Sequence, residues 1–187
     1  MTNAVDERRA AAPPARAGPG VPGVRSGPPP GRALAIRLEQ RTPLPLDVTL
    51  GCRAGELLAL SGPSGSGKTS VLRIVAGLQR VASGRVTCGE ASWLDTERGL
   101  YRPARHRRVG LVFQHYALFP HLSARRNLTL AMGHLPWRAR AGRAEALLER
   151  VNMAGLGTRL PSTLSGGQRQ RVALARALVK RPRVLLL

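Results

Sequence analysis

Short apolar runs along the chain alternate with longer segments in which hydrophobic positions recur with a helical period. The run at residues 57–60 is compact, ends in Ser61-Gly62, and predicts a buried strand of a parallel sheet. The turn-prone pair Thr42-Pro43 separates the first two runs. The predicted strands cover residues 33–38, 46–50, 57–60, 84–88, 109–113 and 184–187.

Four segments show the period of an amphipathic helix, and they cover residues 68–78, 123–132, 137–153 and 166–180. The inward face of the first comprises Val71, Leu72, Ile74 and Val75, and the pattern stops near Gly77. Ser123 and Ser165 are suitable N-caps for the second and the fourth. Because strands and helices alternate, we predict an α/β fold with a parallel sheet core, a small antiparallel strand group and a helical subdomain at about residues 115–165.

The first 31 residues differ in composition from the rest of the chain. They are rich in Pro, Gly and Ala and show no hydrophobic period, so we predict a disordered tail, or equally a start that is set too early. The apolar content of 43% over 187 residues suffices for a core, and we predict one ordered domain over residues 32–187. No apolar run reaches the ~18 residues that predict a transmembrane helix.

The chain carries 30 Lys and Arg against 10 Asp and Glu, a net charge of +20 that raises the hypothesis of a nucleic-acid-binding module. All basic residues except Lys68 and Lys180 are Arg, and they are spread over every segment, which indicates coding bias rather than a phosphate-binding surface. The densest group comprises Arg102, Arg105, Arg107 and Arg108, and a solvated loop is the favoured interpretation. The two cysteines, Cys52 and Cys88, are expected to be buried thiols.

One octapeptide predicts a nucleoside-triphosphate site. It fits G-x-x-x-x-G-K-[ST] and lies between a predicted strand and a predicted helix, where backbone amides and the helix dipole meet phosphate oxygens. Lys68 is placed to neutralise the β- and γ-phosphates, and the Thr69 hydroxyl is placed to bind Mg²⁺. The predicted phosphate-binding residues are Gly62, Pro63, Ser64, Gly65, Ser66, Gly67, Lys68, Thr69 and Ser70.

A second anion-binding helix start follows about a hundred residues later. Leu164 precedes Ser165, Gly166, Gly167 and Gln168, which offer a hydroxyl and bare amides at the start of the fourth helix. One chain cannot easily bring two such helix starts to one nucleotide, whereas a symmetric pair of chains can. We therefore predict that each chain completes the site of the other.

With these motifs the sequence resembles the ATP-binding subunits of ABC transporters, a P-loop NTPase family. The phosphate loop resembles their Walker A motif, and residues 164–168 resemble their LSGGQ signature. Val112-Phe113-Gln114 resembles the Q-loop. The resemblance implies ATP and Mg²⁺ as ligands, Gln114 as a catalytic residue in contact with metal and water, and Thr69 as a second metal contact. It also implies ATP hydrolysis by a homodimer that holds two nucleotides.

Residues 113–123 resemble the importer branch that serves molybdate, sulfate and polyamine systems. The resemblance implies import of a small solute, with an oxyanion such as molybdate as the first expectation. It further implies transmembrane permease subunits as partners, an indirect link to a substrate-binding protein, and a peripheral location on the cytoplasmic face of the membrane. Tyr116, Phe119 and Leu122 are then candidates for the groove that receives the permease, or equally for the core of the subdomain itself.

The sequence departs from the family pattern in two places. It has no aromatic residue before Trp93 to stack on adenine, and Arg41 is a candidate to cover the ring instead. Residues 183–187 resemble the strand that leads into Walker B, but the acidic residues, the D-loop and the switch histidine do not follow. We therefore expect a C-terminally truncated, incomplete domain that binds ATP without efficient hydrolysis. The alternatives are an ABC-type ATPase acting on nucleic acid or the ribosome, and a non-functional remnant.

Overall fold

The computed structural model describes residues 32–42 and 44–187, so the predicted tail at residues 1–31 lies outside the described residues. Two hydrophobic clusters organise this part of the chain. The first joins an antiparallel sheet to the helix that follows the phosphate loop. The second lies among three later helices. The two predicted anion-binding helix starts therefore belong to different clusters.

Five antiparallel strands form the larger sheet: β1 (Arg32–Gln40), β2 (Leu46–Arg53), β3 (Ser83–Cys88), β4 (Ala91–Asp95) and β5 (Leu100–Tyr101). Their order in the sheet is β2-β1-β3-β4-β5. Along β1, Leu34, Ile36 and Leu38 are buried while Arg37 and Glu39 are exposed, which is the period of two expected of a half-buried strand. The strands β4 and β5 were not predicted, because the apolar runs in them are too short to indicate a strand.

The helix α1 (Lys68–Ala76) packs its buried residues Val71, Ile74 and Val75 into the first cluster and ends at Gly77, whose φ of 76° is left-handed. Beyond β5 the chain continues into a parallel pair, β6 (Val109–Leu111) and β7 (Val184–Leu186). Leu186 of β7 is buried in the same cluster as α1. The parallel pair is thus attached to the helix of the phosphate loop.

Three helices build the second cluster: α2 (Ala124–Leu130), α3 (Trp137–Arg150) and α4 (Gly166–Leu178). The side chains of Leu128, Met132, Leu148, Met153 and Val172 are fully buried there. As predicted, Ser123 caps α2, since its Oγ accepts a hydrogen bond from the Arg126 amide at 3.3 Å. In the described part of the chain, no helix has both the length and the apolar character to cross a bilayer.

The α/β class is confirmed, but in the described residues the antiparallel group, predicted to be small, is the larger of the two sheets. The predicted strand at residues 57–60 is also wrong. The segment lies outside every strand, and Leu57 and Leu58 are 88% and 41% exposed. A parallel strand needs ladder partners and covered faces, and the parallel sheet within residues 44–187 contains only β6 and β7. The expected burial of both thiols is also wrong for Cys52, which is half-buried, whereas Cys88 is buried.

Candidate functional site

The phosphate loop curls around the end of one lysine side chain. Gly62, Gly65 and Gly67 have φ values of 150°, 81° and 89°, which favour glycine and let the backbone turn inward. The Lys68 Nζ donates hydrogen bonds to the Gly62 carbonyl at 2.8 Å, to the Pro63 carbonyl at 2.7 Å and to Ser66 Oγ at 3.4 Å. The loop therefore places one positive charge at its centre, on the side where α1 begins.

Gly67 fixes how closely this loop approaches the sheet. A methyl group at this position would overlap Leu46 Cδ2 and lie 3.2 Å from Leu44 Cδ2, so β2 and the turn before it press directly on the loop. Gly67 is also the N-cap of α1 and offers no side-chain hydrogen bond. Because the first amides of a helix have no partner within it, this start presents bare N–H groups beside the Lys68 ammonium.

The hydroxyl groups of the first turn suit a hard cation. Thr69 is exposed at the second position of α1, directly after Lys68. Nowhere in the described ranges do three or more His, Cys, Asp or Glu side chains cluster as metal ligands. An ion at this place would be held by Thr69 Oγ, with Gln114 as the second predicted contact, together with phosphate and water oxygens. Mg²⁺ keeps several waters and binds such mixed oxygen sets, so the residues present fit it.

Gln114 lies just beyond β6, exposed in a turn of unusual backbone conformation. Tyr116 and Ala117 have positive φ values of 60° and 45°, which non-glycine residues adopt reluctantly. Arg176, from the far end of α4, donates to the Ala117 carbonyl at 2.7 Å and to the Tyr116 carbonyl at 2.9 Å. Burial lowers the pKa of the Arg176 guanidinium from its ordinary value.

The start of α4 is closed by its own side chains. The main-chain N–H of Gln168 donates to Ser165 Oγ at 3.2 Å, and the main-chain N–H of Ser165 donates to the side-chain Oε1 of Gln168 at 2.8 Å. The two bonds form a complete capping box. Methyl groups on Gly166 and Gly167 would meet open space. Ser165, Gly166 and Gly167 are exposed, so this helix start is accessible from outside the chain.

Sequence reasoning missed the role of Arg107, which it assigned to a solvated loop. Its side chain is buried, and its guanidinium donates to the carbonyls of Ile74 at 2.7 Å, Val75 at 2.8 Å and Trp93 at 3.0 Å. Burial is the main cause that lowers the pKa of this guanidinium. The Tyr101 hydroxyl donates to the Gly77 carbonyl at 2.8 Å. The carbonyl end of α1 is therefore held by a buried cation, a device that a run of arginines in sequence does not reveal.

A groove of about 490 Å³ is lined by residues of β6, of the turn that follows it and of helices α2 and α4. Of the three candidates for a groove that receives the permease, Phe119 lines this one, while Tyr116 and Leu122 are absent from its walls. Asn127, fully buried, shapes the loop at residues 119–123: its side chain accepts from the Phe119 amide at 2.9 Å and donates to the Leu122 carbonyl at 2.9 Å. The sequence analysis did not single out Asn127.

Arg41, the candidate adenine contact, is exposed beside the turn that touches the phosphate loop. The neighbouring Gln40 is buried and donates to the Leu44 carbonyl at 3.0 Å, and Leu44 in turn lies next to Gly67. The end of β1 is therefore coupled through Leu44 to the phosphate loop by packing. The stacking role of Arg41 stays a prediction.

Comparison with known proteins agrees with these features. A family model described as ABC transporter matches residues 46–187. The chain is 51% identical over 144 residues to the sulfate/thiosulfate import ATP-binding protein CysA of Synechococcus elongatus, an alignment that covers 75% of this chain and 40% of that protein. It is 52% identical over 148 residues to the protein of the same name from Xanthomonas campestris pv. campestris, with 75% and 41% covered.

Among solved structures, a similar fold occurs in the ATP-binding cassette MJ0796, described as a dimer in a post-hydrolysis state bound to ADP and Pi. The TM-score is 0.66 at 29% identity, and the match covers 81% of this chain and 72% of that one. The chain spans about two fifths of the length of the curated relatives that it matches.

Proposed function

The chain belongs to the ABC transporter family of ATP-binding proteins, and we propose that it binds Mg-ATP as a subunit that powers import of a small oxyanion. The observation that carries this proposal is the loop at residues 62–67 with the Lys68 ammonium at its centre, next to the uncapped start of α1. Several main-chain N–H groups and one cation converge there, which is the chemistry that a triphosphate requires.

ATP binding would give the Lys68 ammonium phosphate oxygens as acceptors in place of carbonyl oxygens. The Lys68 ammonium now donates to the carbonyls of Gly62 and Pro63, and phosphate oxygens are stronger, charged acceptors for the same donors. The first amides of α1 and the Thr69 hydroxyl belong to the same end of the helix, where the phosphates would bind. Bound Mg²⁺ would neutralise phosphate charge, while the loop glycines let the backbone approach the oxygens closely.

A second copy of the chain is the partner proposed for the start of α4. Ser165 Oγ already accepts the helix-capping bond, so its hydroxyl proton remains to be donated outward. Gly166 and Gly167 leave open space in which a phosphate could reach the backbone. In a two-fold pair, each nucleotide would lie between Lys68 and Thr69 of one chain and the Ser165 segment of the other.

Hydrolysis is proposed as the activity of an assembled pair that also holds the acidic residues of Walker B, whereas residues 1–187 by themselves stay predicted to bind ATP without efficient hydrolysis. Gln114 follows β6 in an exposed turn, where its amide group is available to orient water near a bound nucleotide. Phosphoryl transfer depends on positioning and charge neutralisation more than on covalent chemistry by the protein. Gln114 is therefore proposed as a positioning contact to water and metal, and Lys68 as the main charge partner.

The proposed cargo follows from the relatives rather than from the site. The curated relatives reported above are described as sulfate/thiosulfate import proteins, which supports a tetrahedral oxyanion and makes sulfate or thiosulfate a stronger candidate than molybdate. A permease segment is the proposed occupant of the groove lined by Phe113 and Phe119, which are 39% and 42% exposed. The subunit would then lie peripherally on the cytoplasmic face of the membrane.

Nucleotide binding is tested by titrating the chain with a fluorescent ATP analogue in the presence of Mg²⁺. We expect Lys68→Ala to weaken binding by roughly 30-fold or more, because a charge-assisted contact to phosphate is lost. The matched control is Arg73→Ala, which removes a positive charge from an exposed position of the same helix. Equal affinity of the Lys68→Ala variant and the wild type would contradict the proposal, as would salt-dependent DNA binding that ATP does not displace.

Cargo is tested by uptake of labelled sulfate and molybdate. Two strains would be compared, one with a sulfate permease and its binding protein and one with a molybdate permease and its binding protein, each without an ATP-binding subunit of its own. The chain would be fused to the C-terminal part of a sulfate/thiosulfate import ATP-binding protein, because hydrolysis requires the Walker B residues. We expect uptake in the sulfate strain to exceed uptake in the molybdate strain. Uptake of molybdate alone would reassign the cargo and leave nucleotide binding untouched.

A further inference from the structure

Arg176 connects two segments that are both proposed to contact nucleotide: the turn that carries Gln114 and the helix α4, which begins at the Ser165 segment. We propose that Arg176 is a positioning residue that locks the turn carrying Gln114 to the signature helix α4, so that the two segments move as one body. The inference deepens the proposed function and rests on it for the meaning of the two segments. The contact itself stands on geometry alone.

The guanidinium binds the turn through both ends of its planar fork. Nη1 donates to the Ala117 carbonyl at 2.7 Å and Nη2 to the Tyr116 carbonyl at 2.9 Å, two consecutive main-chain acceptors. These are the residues with positive φ values of 60° and 45°. A turn in this strained conformation persists only when its surroundings determine it, and the guanidinium fork is a contact that does so.

The other end of the linkage is a rigid helix. α4 runs from Gly166 to Leu178, with the capping box of Ser165 and Gln168 at its start. Arg176 lies near its last turn, at a rise of roughly 15 Å from the signature residues. A displacement of the signature segment is therefore transmitted along the helix axis to the guanidinium, and from there to the carbonyls of the turn.

The local chemistry requires arginine for this role. The guanidinium is partly buried, its burial lowers its pKa, and its recorded hydrogen bonds go to uncharged carbonyls only. A lysine ammonium is a point charge on a flexible stem and cannot hold two adjacent carbonyls in one plane. Ala117 also lines the groove together with Arg176, so the locked turn forms part of that wall.

The test measures the distance between the two segments directly. Spin labels are placed on His115→Cys and Gln170→Cys, both exposed, in a background with Cys52→Ser and Cys88→Ala. We expect a narrow distance distribution in this reference chain, and a width at least doubled when Arg176→Met is added. Arg171→Met removes an exposed arginine of the same helix and should leave the width unchanged. An unchanged width in the Arg176→Met variant would overturn the proposal.

Amide hydrogen exchange provides the second measurement, with the conservative variant. In Arg176→Lys we expect exchange of the amides of residues 114–118 to rise about threefold, while exchange in α1 stays at the wild-type rate. Unchanged exchange in the turn would overturn the proposal even if Arg176→Met does not fold. Titration of the wild-type chain with the fluorescent ATP analogue tests the proposed function separately. If the wild type does not bind the analogue, the proposed function is refuted, whereas the distance and exchange results decide the role of Arg176.

Discussion

The two helix starts that are proposed to grip one nucleotide are built in opposite ways. α1 begins at Gly67 without a side-chain cap, and the nearest side chain, that of Lys68, bonds to the carbonyls of its own loop. α4 begins at Ser165 with a reciprocal capping box to Gln168. The first start leaves its amides for a ligand, whereas the second satisfies part of its own hydrogen bonds and keeps an exposed surface.

Glycine has a different purpose at each start. At Gly67 the left-handed φ of 89° and the contact with Leu46 make a side chain incompatible with the fold. At Gly166 and Gly167 a methyl group would meet open space. The loop glycine is thus required by the packing of the chain itself. For Gly166 and Gly167 the packing of the chain sets no such requirement, and access to the backbone from a second chain is the proposed reason for them.

The largest loss of stability is expected from a change at the C-terminal end of α1, where the Arg107 guanidinium binds main-chain carbonyls. Arg107→Met would remove four hydrogen bonds from a buried guanidinium, to the carbonyls of Arg102, Ile74, Val75 and Trp93. The Ile74 and Trp93 carbonyls keep the Gly77 and Arg102 amides as donors, whereas the Val75 carbonyl loses its donor. We expect the free energy of unfolding to fall by about 4 kcal/mol, because hydrogen bonds to a charged group contribute about 1.5–3 kcal/mol each and one buried carbonyl is left unsatisfied. Urea denaturation followed by circular dichroism checks this. The exposed Arg105→Met is the control, and equal losses in both variants would contradict the anchoring role.

Gly67→Ala is expected to cause the next largest loss of stability. A left-handed φ costs a non-glycine residue about 1–2 kcal/mol, and the overlap with Leu46 adds a similar amount, so we expect a total loss of about 3 kcal/mol. Leu46→Ala in the same chain should recover part of the loss by making space, and denaturation of the single and double variants measures this. Two losses that simply add would show that Leu46 does not limit the space at Gly67.

Ser165→Ala tests the self-contained start of α4. Loss of an N-cap hydroxyl typically costs about 1 kcal/mol, and we expect the stability to fall by that amount. Gln168→Ala removes the reciprocal bond to the Ser165 amide and should cost somewhat less. The comparison is made by thermal denaturation of both variants. A loss near 3 kcal/mol from Ser165→Ala would remove the contrast between the two helix starts.

Short-range chemistry explains which features were predictable from sequence. The glycine loop, the Ser123 cap and the Ser165–Gln168 pair are encoded within a few residues, and their geometry follows from local hydrogen bonding. The predicted strand at residues 57–60 failed because burial of an apolar run depends on distant neighbours. The contact of Arg176 with the turn spans about sixty residues of sequence, and nothing local to either segment indicates it.

The position of Arg107 also could not be predicted from the sequence, because its charge suggests exposure to solvent. An arginine within a cluster of arginines predicts a solvated loop, yet this one is buried against α1, where its positive charge lies at the negative end of the helix dipole. Only the packing of β4, β5 and α1 around it reveals the role. The functional roles of Gln114 and the Ser165 segment depend on a nucleotide and a second chain, and they stay predictions.

Gly166→Ala gives the smallest effect and the sharpest contrast, because it is the substitution of Gly67→Ala made at the other helix start. Gly166 is the first residue of α4, its added methyl group meets open space, and alanine favours the helix more than glycine does. We therefore expect a gain in stability of about 0.5 kcal/mol, measured by urea denaturation, together with unchanged binding of the fluorescent ATP analogue to the single chain. A destabilisation comparable to that of Gly67→Ala would mean that the two glycines serve the fold in the same way, and the distinction between a loop shaped by packing and a surface shaped for a partner would fail.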